Sequence, residues 1–301
     1  MKLMGNHFEI TVVGDSESWA NEKIALAVNE IKRIEKLLTT FSEDSDTNLI
    51  NNNAGIIPVR VSEEIILLIE RALRISSITQ GAFDISYGSV DKSLWNFDTT
   101  MSTLPNVEQA KESVKLINYK NILIDKIAGT VFLKEKGMRI GFGGIGKGYA
   151  AEKAKALLQS EGVGSGVVNA SGDLTTWGSM PNGDKWTIGI VHPEMANSVF
   201  SYMNVSDLSV ATSGNYEKYV IIDGKKYSHT INPKTGLPVT GIKSVTIVST
   251  NAEVADAMAT PVMIMGIEAG MYMINQIKDI EAIIIDEHNT LYASKNIKLT
   301  K

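Results

Sequence analysis

The chain has no cysteine in its 301 residues. That excludes disulfides, thiolate catalysis and Cys-ligated zinc, and it leaves the redox compartment open. Histidine is scarce, at four, so imidazole chemistry has few places to sit. No apolar run reaches about 18 residues, so no membrane-spanning helix is expected. No Lys/Arg cluster stands out and the net charge is −5, which argues against nucleic acid as a partner. No stretch reads as a signal peptide, an internal repeat or a low-complexity linker. What is present is ordinary for a globular protein: 44% hydrophobic and 21% charged residues. That is enough to bury a large core without staples. A single domain spanning residues 1–301 is expected, although the length permits two.

Helical and strand-like patterns mix without strict alternation, which predicts an α+β fold. Ile24, Val28, Ile31, Ile34 and Leu38 recur at helical spacing, so residues 17–38 read as a helix. A second helix is expected after Ser62, with Glu63 and Glu64 at its positive end. A third is expected near Asn106, with Gln109 in a capping-box position. Residues 131–133 and 138–140 read as paired short strands around Gly137. A helix is predicted from Gly146 to Gln159, and strands near 167–169, 186–191 and 244–249. Tyr219 to Ile222, Asp223-Gly224 and Lys225 to Ile231 spell a hairpin, because Asp-Gly supplies the positive φ angles of a type I′ turn. Asn251 caps a last apolar helix.

Four places could carry chemistry. The first is the glycine loop Gly141-Phe-Gly-Gly144-Ile-Gly146-Lys147-Gly148, leading into a helix. Glycines let backbone N–H groups approach a phosphate, and Lys147 adds a cation. The loop spells a GxGxxG, but no clean βαβ unit accompanies it. It also starts like a P-loop, but Gly148 stands where a Ser or Thr should hold magnesium. A ligand-free turn remains the alternative. The second is Asp256 and Thr260, four apart and so on one helical face. A carboxylate and a hydroxyl suit Mg²⁺ when water and phosphate oxygens fill the shell. The plainer alternative is a Thr bonding back into its own helix. Pro261 follows, which disfavours helix at Thr260 and makes a kink plausible. The third is His229, read as lying on the second hairpin strand before a Pro-Gly turn. There it is either a catalytic side chain or a hydrogen-bonded sheet histidine. His7, His192 and His288 have no companions and read as structural or solvated. The fourth is Gly81-Ala82-Phe83-Asp84-Ile-Ser86, where Asp84 either holds a ligand or caps a turn.

Each place is a weak signal alone, but their order along the chain is specific. Met4-Gly5-Asn6, Leu38-Thr-Thr-Phe41, Ser45 to Asn51, Gly81 to Asp84, Gly143 to Tyr149, Asn169-Ala-Ser-Gly-Asp173, Ala211-Thr-Ser-Gly214, Ser228 to Gly236 and Ala255-Asp-Ala-Met-Ala-Thr260 together resemble the ApbE family, the FAD:protein FMN transferases. The resemblance covers nearly the whole chain. It implies mixed or antiparallel sheets with packed helices, in an architecture related to the T-fold.

By that resemblance, an acceptor Thr hydroxyl attacks the FMN-side phosphorus of FAD, and AMP leaves. Asp256 and Thr260 would hold Mg²⁺ with the Gly144 carbonyl, and Lys147 would add charge beside it. Met4, Phe41, Ala82, Phe83, Asp84, Gly141 and Ile231 match positions at the FAD site. His229 would take the hydroxyl proton, as an imidazole's ordinary pKa suits. The acceptor would carry a Ser/Thr-Gly-Ala-Thr segment on a membrane redox complex subunit. That implies an extracytoplasmic site reached by way of a leader or lipid anchor, of which the chain itself shows no signal. Phe41 replaces the commoner Tyr, keeping stacking area but losing a hydrogen bond. Gly141 stands where Asp is usual, Ser171 replaces a Gly, and Pro261 follows the metal Thr. The competing expectations are an FAD pyrophosphatase using water, a non-catalytic FAD-binding protein, and a Rossmann oxidoreductase.

Overall fold

The computed structural model describes residues 1–96, 98, 100–191, 199–214 and 219–297. His192 lies outside them. The helices are α1 (Glu17–Leu38), α2 (Asp46–Asn52), α3 (Glu63–Ile78), α4 (Val107–Ser113), α5 (Gly146–Ser160), α6 (Ala252–Met265) and α7 (Ile267–Ile274). The strands are β1 (Lys2–Leu3), β2 (Asn6–Val12), β3 (Val59–Arg60), β4 (Ile122–Asp125), β5 (Thr130–Leu133), β6 (Gly166–Ala170), β7 (Asp173–Trp177), β8 (Trp186–Val191), β9 (Val199–Val205), β10 (Ser209–Gly214), β11 (Tyr219–Ile222), β12 (Lys225–Ser228), β13 (Ile242–Ser249), β14 (Ile280–Asp286) and β15 (Leu291–Ala293). Every strand pair among the described residues is antiparallel, within the expected α+β fold of mixed or antiparallel sheets. The caps fall where expected: the side chains of Ser62, Asn106 and Asn251 accept the first free N–H groups of α3, α4 and α6.

Two compact units share the chain. The first comprises Met1–Glu35, Ile145–Tyr216 and Ile242–Lys301. Its frame is an eight-stranded sheet in the order β1-β2-β6-β7-β10-β13-β14-β15. The central strand β13 is buried on both faces, so the two-residue alternation assigns its side chains to separate layers. Val248 joins Val210 and Leu174 in one layer, against Ile188 and Met203. Val245 and Ile247 point the other way, where α6 packs on β10 and β13. Helix α5 packs beside α6 and over β6 and β7. By the same alternation, Asp173 on β7 and Ser213 on β10 belong to the helix side of the sheet.

The second unit comprises Lys36–Gly144 and Glu217–Gly241. It holds the three-stranded sheet β3-β5-β4 and the β11–β12 hairpin. Asp223 (φ 51°) and Gly224 (φ 76°) form the left-handed turn between β11 and β12. Two expectations need correction. Residues 131–133 do lie in a strand, but β5 pairs with β4 and β3, and residues 138–140 form no strand. Side chains take the backbone bonds of that segment. Asn51 accepts from Ile140 N–H at 2.7 Å and donates to its carbonyl at 3.0 Å. Ser89 does the same for Arg139, at 2.8 and 2.9 Å. The hairpin's second strand also stops at Ser228, so His229 lies just beyond it. There the chain turns to a new partner: Ser228 N–H donates to the Val239 carbonyl at 3.1 Å.

Candidate functional site

In the first unit, the chemistry gathers where α5 meets α6. Asp256 and Thr260 lie one turn apart on α6, Asp256 against the start of α5 and Thr260 against β10. Thr260 Oγ1 lies 3.1 Å from Ser213 Oγ on β10, so the hydroxyl reaches across to the sheet. Helix α6 continues through Pro261 to Met265. Asp256 is 7% exposed, and its Oδ2 accepts the Gly148 N–H at 2.9 Å. The Lys147 N–H is aimed at the same carboxylate, so the first turn of α5 presents its positive end to Asp256. Lys147 Nζ pairs with the carboxylate of Asp173, which also accepts the Thr212 N–H at 3.3 Å. The glycine-loop donors singled out for phosphate are thus engaged by two buried carboxylates.

The charges do not cancel. Among the described residues, two carboxylates face one ammonium. Burial pushes Asp256 up to about 7, and the charge of Asp173 pushes the same way; Lys147 and the two N–H groups oppose them. Burial also raises Asp173, against the pull of Lys147. Such a carboxylate needs a proton or a cation. No cluster of three or more His, Asp or Glu that could hold an ion exists among the described residues. Magnesium does not need one, because it binds through one or two carboxylates and completes its shell with water and substrate phosphate. Asp256 with Thr260 fits that habit. Gly144, the implied third ligand, directly precedes Ile145 at the start of the α5 segment.

Gly148 permits this arrangement. A Cβ there would sit 2.2 Å from the Ala252 carbonyl oxygen and 2.7 Å from Asp256 Cβ. Glu152, one turn on, accepts the Ala252 N–H at 2.9 Å and joins α5 to the start of α6. Gly148→Ala is expected to force the two helices apart. It should lower stability by roughly 3 kcal/mol or more, with loss of activity. A denaturant midpoint unchanged from the parent protein would contradict the close approach.

The second unit places the remaining candidates. Helix α3 stops at Ile78, and Gln80 (φ 52°) and Gly81 (φ 81°) turn the chain. Asp84 Oδ1 accepts the Ser86 N–H at 2.8 Å, and Oδ2 accepts the Tyr119 N–H at 2.7 Å. Burial raises its pKa and these bonds pull it down, so in this structure Asp84 acts as a turn cap. Ala82 and Phe83 are buried, and a Cβ on Gly144 would lie 3.6 Å from the Phe83 ring. Gly141 N–H donates to the Ile85 carbonyl at 2.9 Å. Phe41, by contrast, is 99% exposed. Its loop is nevertheless held: Ser45 Oγ donates to the Thr39 carbonyl at 2.6 Å, and Asn48 Nδ2 reaches the Thr40 and Ser42 carbonyls at 2.9 Å. His229 is half-buried, between buried Ser228 and buried Ile231. Met4 belongs to the first unit, in the β1–β2 turn, with φ 49°. That left-handed value is costly for a long side chain. His7 and His288 are exposed.

Asp173 and Ser213 received no role from the sequence, although both lie in segments used for the resemblance. Only strand alternation counted outward from Leu174 and Val210 could have turned them toward α6.

The fold is antiparallel α+β, with a buried carboxylate set against the N-terminus of α5. Comparison with known proteins gives the family. The ApbE family pattern matches residues 4–284. A protein of Klebsiella pneumoniae (strain 342) named FAD:protein FMN transferase is 30% identical over 299 residues, covering 99% of this chain and 91% of that one. The crystal structure of the ApbE protein of Thermotoga maritima is 30% identical, covers 97% of this chain and 95% of that one, and superposes with a TM-score of 0.87. The flavin transferase ApbE of Vibrio cholerae, 24% identical, shares the fold with a TM-score of 0.85 and covers 98% and 96% of the two chains. The chain belongs to the ApbE family.

Proposed function

We propose that the chain transfers FMN from FAD to a threonine hydroxyl of an acceptor protein, releasing AMP, with magnesium held at Asp256 and Thr260. As a member of its family the chain is an FAD:protein FMN transferase. One observation carries the metal: among the described residues, Asp256 and Asp173 are two buried carboxylates set against the ammonium of Lys147.

The acceptor oxygen forms a bond to the FMN-side phosphorus, the bridging P–O bond breaks, and AMP leaves with the bridging oxygen. His229 takes the hydroxyl proton. Lys147 supplies positive charge to phosphate oxygens once Asp173 shares it. Asp256 and Thr260 hold the ion, with the Gly144 carbonyl as the third ligand that the resemblance implies. When bound, magnesium neutralises pyrophosphate charge. Phe41 offers an exposed ring for stacking, and the Gly81–Asp84 turn with Gly141, Ile231 and Met4 binds FAD. The acceptor carries a Ser/Thr-Gly-Ala-Thr segment of the kind found on membrane redox complexes and is met outside the cytoplasm. Family resemblance alone supports that assignment.

The test is mass spectrometry on a reaction of FAD and Mg²⁺ with an acceptor domain bearing that segment, with AMP followed in parallel. An FMN-sized mass gain on the threonine, lost in EDTA, is expected. AMP and free FMN without labelling would point instead to a pyrophosphatase. Bound FAD without any AMP would leave only a flavin-binding protein.

A further inference from the structure

The backbone on both sides of His229 is held by two aromatic side chains from a distant stretch of the second unit. Trp95 Nε1–H donates to the Ser228 carbonyl at 2.8 Å. Ile231 N–H donates to the Tyr87 hydroxyl oxygen at 3.2 Å. Both aromatics belong to one apolar cluster, with Val90, Val114, Val220 and Ile231. Two further backbone bonds close the frame: Ser228 N–H to the Val239 carbonyl, and Val239 N–H to the Thr230 carbonyl at 3.0 Å. His229 therefore projects from a short segment whose neighbours are fixed on either side.

Tyr87 has a second connection. It lies in the 3₁₀ turn Ile85–Ser89, which starts directly after Asp84. Burial raises its pKa, so the phenol stays neutral and its oxygen serves as a buried acceptor. A phenylalanine there would keep the packing and leave the Ile231 N–H without this partner. The pin thus ties the Gly81–Asp84 turn to the segment bearing His229.

We infer that Tyr87 is a positioning residue for His229, setting the imidazole through the Ile231 N–H bond, with Trp95 as the second pin. The inference rests on the reading of His229 as the base. A base must stand within hydrogen-bond reach of the proton it takes, so a freed backbone costs rate. Misplacement by about 1 Å can cost about a hundredfold. Loss of one of several pins should cost less.

The experiment compares the parent protein, Tyr87→Phe, His229→Ala and the double variant. It measures kcat and the KM for FAD with Mg²⁺ and an acceptor domain carrying a Ser/Thr-Gly-Ala-Thr segment, with overnight incubations for slow variants. Tyr87→Phe is expected to lower kcat at saturating FAD roughly tenfold, to raise KM for FAD by a smaller factor because the same bond holds Ile231, and to melt within a few degrees of the parent. In the His229→Ala background the same change should cost nothing further, because there is no imidazole left to place. A purely structural role would exact the same factor in kcat in both backgrounds, and that result overturns the inference. A slow His229→Ala beside a full-rate Tyr87→Phe overturns the inference alone. A full-rate His229→Ala overturns the base assignment and the inference with it.

Discussion

In EDTA at about pH 8, Asp256→Asn is expected to melt at a higher temperature than the parent protein, while transferring FMN at least about a hundredfold more slowly. The two effects have one cause. In the folded, metal-free chain the Asp256 carboxyl titrates at about 7, against an ordinary value of 3.8. The fold therefore holds this proton more tightly than the unfolded chain does. The stability it lends is complete below the unfolded value and is lost as pH rises through about 7. Above that, the fold carries a buried ionised carboxylate that lies near Asp173 and shares Lys147 with it. Each pKa unit is worth about 1.4 kcal/mol, so the cost is on the order of 4 kcal/mol. Asparagine removes the charge and keeps an oxygen for the Gly148 N–H.

Magnesium should reverse the order. A ligand that binds only the folded state raises its stability by mass action. Mg²⁺ at about pH 8 should lift the melting temperature of the parent and leave Asp256→Asn where it was; at acid pH the two proteins should converge. Losing a group behind a metal ligand costs about ten- to a hundredfold, so losing the ligand should cost at least the upper figure. Thermal melts at two pH values, with EDTA and with Mg²⁺, decide the matter. A variant less stable than the parent in EDTA at high pH would mean that the charge of Asp256 is already compensated.

Local signals were legible in the sequence where they act locally. Ser62, Asn106 and Asn251 cap helices with atoms two or three residues away, and the Asp223-Gly224 turn needs only its own φ angles. The heptad-like spacing of Ile24 to Leu38 likewise reports one helix face. The 138–140 segment misled because its residues look like a strand, while its partners, Asn51 and Ser89, lie far upstream. No periodicity encodes a ladder bond taken by a distant side chain.

The site shows the same division. Asp256 and Thr260 were visible as a pair because a helix repeats every 3.6 residues. That Thr260 would meet Ser213 was not, since 47 residues separate them and only the sheet order joins them. The charge surplus was equally hidden. It requires Asp173 to face α5 rather than the Val248 layer, and a one-residue slip of β7 would reverse it. Ser171 sits at φ 58° in the turn between β6 and β7, a backbone shape that glycine accepts more readily.

His229→Ala should lower the rate of FMN transfer by about 10²- to 10⁴-fold, the usual worth of a positioned general base, and leave FAD binding intact. The backbone argues for the separation. Ser228, Thr230 and Ile231 take their bonds from Trp95, Tyr87 and Val239, so removing the imidazole disturbs no pin. Ile231, a proposed FAD contact, then keeps its place. His229 itself lies beyond the end of β12. The defect should shrink as pH rises, because hydroxide can take the proton that the imidazole no longer takes. An acceptor domain, FAD and Mg²⁺, with transfer followed by mass and binding by flavin fluorescence, separate the alternatives. A rate equal to the parent's would remove His229 from the mechanism. A proportional loss of FAD binding would make it a binding residue and return the base role to an unassigned group near the acceptor.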